Sequence, residues 1–148
     1  MTFSADIKSR QQWMGVLARA GNGLADYEAQ LSQADYRFIR APETGMALVR
    51  GRAGATGSPF NLGEMTVTRC VVQLADGRTG YSYVAGRNKQ HAQLAALADA
   101  HLQSEEPPQW LQRMVASLRL AREQRRSAKA AQSATTKVEF FTLVRGED

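Results

Sequence analysis

Few residues in this chain have side chains suited to covalent or acid–base chemistry, and their spacing completes no active site. The single cysteine, Cys70, lies in an alternating run beside Thr68, Val71 and Val72. A nucleophilic thiol needs a neighbouring base and a lowered pKa. Burial in mid-strand works the other way, so Cys70 reads as an inert core residue. His91 and His101 fall on one predicted helix. At about 100° per residue they point roughly 80° apart and are nearly three turns distant, too far to share a metal. His101 reads as a core or boundary histidine. His91 differs because it ends G-R-N-K-Q-H, residues 86–91, at a helix mouth. Unpaired backbone N–H groups and the positive dipole end collect there, and Arg87 and Lys89 add charge. A helix start ordinarily prefers acidic residues, so an anion or acidic partner would relieve the conflict. Arg87, Asn88, Lys89 and His91 are therefore the candidate anion- or partner-binding residues.

Two other patterns invite a ligand. Glycines 51, 54, 57 and 63 stud one segment, but it lacks the Lys-Ser/Thr ending of a P-loop and leads into a strand rather than a helix. A wide hairpin connection explains it better. Arg119, Arg122, Arg126 and Lys129 form a basic stripe at helical spacing, with Glu123 the one acid nearby. A solvated helix face is the first reading, a protein or nucleotide contact the second, and nucleic acid the third, since stacking aromatics are missing.

The elements that position these residues follow from periodicity and punctuation. Trp13, Val16, Leu17 and Ala20 make an apolar stripe over residues 9–20, with Ser9 and Gln12 at capping-box spacing. Gly21-Asn22-Gly23 ends that helix, and Leu24, Tyr27, Glu28 and Leu31 begin a second, short one. Strands are predicted over residues 36–40, 45–52 and 64–74, the first two broken at Ala41-Pro42. In the third, Thr66, Thr68, Cys70, Val72 and Leu74 share one face. Asp76-Gly77 signals a type I′ hairpin turn, returning as a strand over residues 79–85. Helices are expected over residues 88–103 and 109–132, separated by Pro107-Pro108. The second offers only alanines to a core in its back half and should project. Residues 137–144 read as a strand that is apolar on both faces, an arm suited to adding to another sheet. Val138, Phe140, Phe141, Leu143 and Arg145 are the candidate subunit interface. The fold class is α+β, a single domain over residues 1–148, with an antiparallel meander flanked by helices.

Composition sets the outer limits. The chain has 148 residues, 19 Lys and Arg against 14 Asp and Glu, and 43% hydrophobic residues. It is too apolar for intrinsic disorder. One cysteine precludes an intrachain disulfide or a four-cysteine zinc site. With no secretory leader at its start and no run near 18 apolar residues, a cytoplasmic location off the membrane is expected.

Five stretches in this order resemble the G subunit family (PhnG) of the carbon–phosphorus lyase core complex. They are R-Q-Q-W-M at residues 10–14, I-R-A-P-E-T-G at 39–45, T-V-T-R-C-V-V at 66–72, G-Y-S-Y-V-A-G-R-N-K-Q-H-A at 80–92 and V-E-F-F-T-L-V-R-G at 138–146. The family usually has an aspartate where Asn88 stands and a tryptophan where Tyr83 stands, changes that keep size and hydrogen bonding roughly intact but remove the charge that any salt bridge at the former position would need. The resemblance implies a non-catalytic but required subunit in phosphonate catabolism. Partners would be the H, I and J subunits, I most directly, with an ATPase-like L subunit needed for activity. Together they would transfer the ribose 5-triphosphate of ATP to methylphosphonate and release adenine. ATP is then the complex's substrate, and an iron–sulfur cluster belongs to J. This chain is expected to hold no cofactor and no metal, and to contribute no catalytic residue. The rival readings are a small basic nucleic-acid-binding module and an independent hydrolase built on Cys70 and His91.

Overall fold

A computed structural model describes the backbone of residues 3–52 and 59–146 and the side chains of residues 7–48 and 63–134. Helix α1 spans Phe3–Ala18; a 3-10 turn over Gly21–Tyr27 leads to the one-turn helix α2, Glu28–Leu31. Strands β1 (Tyr36–Arg52), β2 (Pro59–Leu74) and β3 (Thr79–Ala85) follow, then α3 (Lys89–Leu102) and α4 (Gln109–Gly146). The strands form one antiparallel meander in the order β1-β2-β3. The α+β class and meander thus match the sequence reading.

Side-chain alternation decides which sheet face is covered. On β2, Thr68, Cys70, Val72 and Leu74 are buried, with Val84 of β3 beside them. They pack on α3, whose run of alanines (Ala92, Ala95, Ala96, Ala98, Ala100) is buried almost completely. Small residues let the helix lie close to the sheet. The closest approach is at Gly80, where a Cβ would run into the Ala96 carbonyl oxygen and the Ala100 backbone nitrogen. Val16 and Leu17 of α1, Leu24, Leu31, and Leu111 and Met114 of α4 complete the core. Tyr27 stacks on Trp110 with ring centroids 6.1 Å apart, tying the start of α4 to the 3-10 turn. Tyr81 and Tyr83 lie exposed on the opposite sheet face.

Several expectations are corrected. Helix α1 starts at Phe3 rather than Ser9, because residues 3–8 contain no glycine or proline to stop it. The short second helix is mostly 3-10. Ala41-Pro42 does not divide β1. The ladder absorbs it as register shifts between Phe38 and Arg40 and between Arg40 and Glu43, which is how an edge strand tolerates a proline. The hairpin turn is not type I′. Among the described residues no non-glycine residue has positive φ, and within this turn only Gly77 does, at +95°. The Leu74 N–H donates to the Arg78 carbonyl at 2.8 Å and the Gly77 N–H to the Leu74 carbonyl at 3.0 Å, so the turn is one residue wider.

The largest correction concerns the C-terminal segment. Residues 137–144 are not a strand but continue α4, a helix of 38 residues, about 57 Å long at 1.5 Å per residue. Between Gln109 and Val144 there is no glycine or proline, and each added residue of a formed helix brings one more hydrogen bond at small cost. A short apolar run carries no period strong enough to overrule that. Of the glycine-studded segment, residues 51–52 and 59–63 belong to strands β1 and β2, while 53–58 lie outside the described residues.

Candidate functional site

The mouth of α3 is built by the chain leaving β3. The Gly86 N–H donates to the Thr66 carbonyl at 2.8 Å, and the Thr68 hydroxyl donates to the Gly86 carbonyl at 2.7 Å. The junction is thereby pinned to β2. Asn88 then caps the helix: its side-chain oxygen accepts from the His91 N–H at 3.0 Å, and its amide donates to the Asn22 side chain at 3.3 Å. Asn88 is therefore a structural cap. Its lack of charge does not prevent this, since Asn and Asp cap about equally well.

Of the four residues singled out at this mouth, three face solvent and one does not. Arg87, Asn88 and Lys89 are exposed, and Arg87 and Lys89 make no ion pair among the described residues. The His91 ring turns inward: it is 6% exposed, and its Nε2 lies 2.7 Å from the Leu17 carbonyl oxygen. It ties α3 to the end of α1. His101 does the same at the other end of α3, with Nε2 3.1 Å from the Leu31 carbonyl oxygen. Burial, the largest influence, holds its pKa below the ordinary histidine value.

Cys70 is fully buried, and burial pushes its thiol up to about 11. At neutral pH it is a thiol rather than a thiolate, and His91 is committed to Leu17. No three His, Cys, Asp or Glu side chains among the described residues converge as a metal site.

A polar centre that the sequence reading missed lies where α1, β3 and α3 meet. Asp99, on α3, is 0% exposed. Its carboxylate accepts from Arg10 Nε at 3.1 Å and Nη2 at 2.8 Å, from the Trp13 indole N–H at 2.7 Å and from the Tyr81 backbone N–H at 2.9 Å. Arg10 also lies over the Tyr81 ring, 5.4 Å from its centroid. The hydrogen bond to Asp99 is the first cause of a raised Arg10 pKa. The centre joins two of the sequence stretches, residues 10–14 and 80–92. It also covers part of the β3 edge, since the Tyr81 N–H points away from β2. A charged residue inside the otherwise apolar run L-A-D-A-H-L was the available signal, because such a group is tolerated only when paired.

The basic stripe on α4 is split. Arg122, Arg126 and Lys129 turn toward Arg19 at the end of α1 and, with Arg125, line an open cavity of about 410 Å³. Arg119 instead borders a groove with Trp13, Leu102, Glu105, Glu106 and Pro107. Burial first, then the charges of Arg19, Arg126 and Arg125, hold the Arg122 pKa below its ordinary value. Val138, Phe140, Phe141, Leu143 and Arg145 all lie on the last turns of α4; their side chains are outside the described residues. No helix among the described residues is long and apolar enough to cross a membrane.

Comparison with known proteins agrees with the sequence pattern over nearly its whole length. The family model for the phosphonate metabolism protein PhnG matches residues 8–146. The alpha-D-ribose 1-methylphosphonate 5-triphosphate synthase subunit PhnG of Rhizobium meliloti (strain 1021) is 42% identical over 149 aligned residues, which cover 97% of this chain and 94% of that protein. The match takes in both the Asp99 centre and the mouth of α3, and the chain belongs to the PhnG family of phosphonate metabolism proteins.

Proposed function

We propose that this chain is a non-catalytic but required subunit of a ribose 1-methylphosphonate 5-triphosphate synthase. That assembly joins the ribose 5-triphosphate of ATP to methylphosphonate and releases adenine. The chain shapes and holds its partners, the I subunit foremost with H and J beside it, while L is needed for turnover. Arg87 and Lys89 add positive charge beside a site that handles a polyanionic nucleotide and a phosphonate. The chain itself supplies no nucleophile and holds no cofactor, and it functions in the cytoplasm.

The observation that carries this reading is an overhanging two-stranded ribbon. Strand β3 pairs with β2 only over Val67 to Gln73, whereas β1 and β2 remain paired out to Arg52 and Pro59. Beyond β3, Met46 and Leu48 project on one face and Met65 on the other, at 59%, 58% and 41% exposure. An isolated two-stranded ribbon is marginal in water, and exposed apolar side chains on both its faces suit burial by a partner. The second half of α4 overhangs in the same way, with residues 123–134 exposed.

The test is co-purification. Met46→Lys combined with Leu48→Lys changes only exposed positions, so stability should stay within about 0.5 kcal/mol of the parent. Capture of the I subunit and the transferase rate of the reconstituted complex should both be lost. Deleting residues 138–148 should weaken capture independently. If both variants capture the I subunit as the parent does, the reading is wrong.

A further inference from the structure

Arg19, Arg122, Arg125, Arg126 and Lys129 surround one cavity of about 410 Å³, within the roughly 300–1,000 Å³ usual for small-molecule sites. Two of these cations have a structural use. Arg19 Nη1 donates to the Gly15 carbonyl and Arg125 Nη2 to the Arg19 carbonyl, both at 3.3 Å, where the end of α1 leaves carbonyls without helical donors. Among the described residues, no hydrogen bond or ion pair holds the side chains of the other three. Among the described residues, no carboxylate pairs with any of the five, although Glu123 stands on the same helix. Arg122 Nε is buried and has no hydrogen-bond partner among the described residues. The Arg122 guanidinium rests over Gly15, where an added Cβ would come within 3.3 Å of its Nη1.

An unmatched buried donor is costly, and so is a ring of like charges brought together without a counter-charge. Solvation of a helix face requires neither. Both costs are removed by one dense anion that fills the cavity. We infer that this cluster is a binding site for an oligophosphate, a short chain of phosphoryl groups either free or carried by a nucleoside. Arginine forks match phosphate oxygens in pairs, and an oligophosphate brings several negative charges into a small volume. An acidic peptide spaces its carboxylates along a backbone and fits a converging set less well. The inference does not depend on the chain's place in the synthase. The site lies at the junction of α1 and α4, built from residues other than Arg87 and Lys89.

The experiment is calorimetric titration of the full chain with inorganic tripolyphosphate at about physiological salt, where surface attraction is screened. Saturable binding is expected. Arg126→Gln, at an exposed position, and Arg122→Gln should each weaken it about tenfold or more, the effect of losing charge-assisted hydrogen bonds. Arg122→Lys keeps the charge but loses the fork and should fall between. Arg113→Gln, elsewhere on α4, should bind as the parent does. Competition by ATP identifies a nucleotide as the source; tripolyphosphate binding that ATP cannot displace identifies a free oligophosphate. Three results overturn the inference: no saturable binding below about 1 mM, the weak limit for a specific site; unchanged affinity in both glutamine variants; or equal or tighter binding of polyglutamate or single-stranded DNA.

Discussion

Arg10, on α1, and Arg19, one residue past its end, finish in opposite electrostatic surroundings. Arg10 forms a two-pronged contact with a carboxylate that has no exposure to water, and that carboxylate is further matched by an indole and a backbone N–H. Arg19 ends among three more arginines and a lysine with no acid in the set. The first environment satisfies its members from within the chain, and it joins helix to sheet. The second leaves Arg122 Nε without a partner. Charges that a fold needs for itself are matched internally, while charges left unmatched at a concave surface point outward to something the chain lacks.

The strongest way to break this comparison is to unmatch the first centre. Asp99→Ala should cost about 3–5 kcal/mol, the penalty for stranding the partner of a buried ion pair, and urea denaturation should show it. A loss below about 1 kcal/mol would mean that Arg10 and Trp13 find water instead.

A smaller effect comes from His101, which belongs to the matched side. Its folded pKa lies below the ordinary 6.5, chiefly through burial. The unfolded chain therefore takes up a proton at His101 more readily than the folded one. This contribution is complete above about pH 6.5 and is lost as the pH falls from there toward the folded pKa. The slope cannot exceed about 1.4 kcal/mol per pH unit, the limit for one proton. Thermal melts of the parent and His101→Gln between pH 7.5 and 5 should converge as the pH falls. Parallel curves would exclude His101 as the source.

The smallest expected effect sharpens the contrast. Arg122→Gln without added ligand should leave the melting temperature unchanged or slightly raised, since it removes a like charge and a buried donor without a partner. A clear drop would place Arg122 with Arg10 as a structural residue.

How much was legible varies by element. Strand β3 and the span of α3 could be read to within a residue because alternation in T-G-Y-S-Y-V-A and the glycine that follows it are local signals. The core face of β2 was legible for the same reason. The hairpin turn was placed correctly but typed wrongly, since Asp-Gly fits a wider turn in which only Gly77 needs positive φ. His91 looked available because it falls at a helix mouth beside the charges of Arg87 and Lys89; its inward rotation depends on Leu17, 74 positions away. An apolar overhang was expected in the C-terminal segment, whose side chains lie outside the described residues, and the ribbon beyond β3 shows another that was not expected. Pattern shows that residues are apolar, but not which of them the sheet leaves uncovered.

Local chemistry in the sequence was enough to settle the α+β class, the meander order and the apolar faces, because turn residues and side-chain periods act over a few positions. The partners of Asp99, the gathering of Arg19 with Arg122 and the reach of β1 and β2 past β3 were decided only when the chain folded. Arg10 and Asp99 stand 89 positions apart, and Arg19 and Arg125 stand 106 apart. Such contacts depend on how α1 docks against α3 and α4, and the energy of that docking comes from the core they share rather than from any short stretch of sequence.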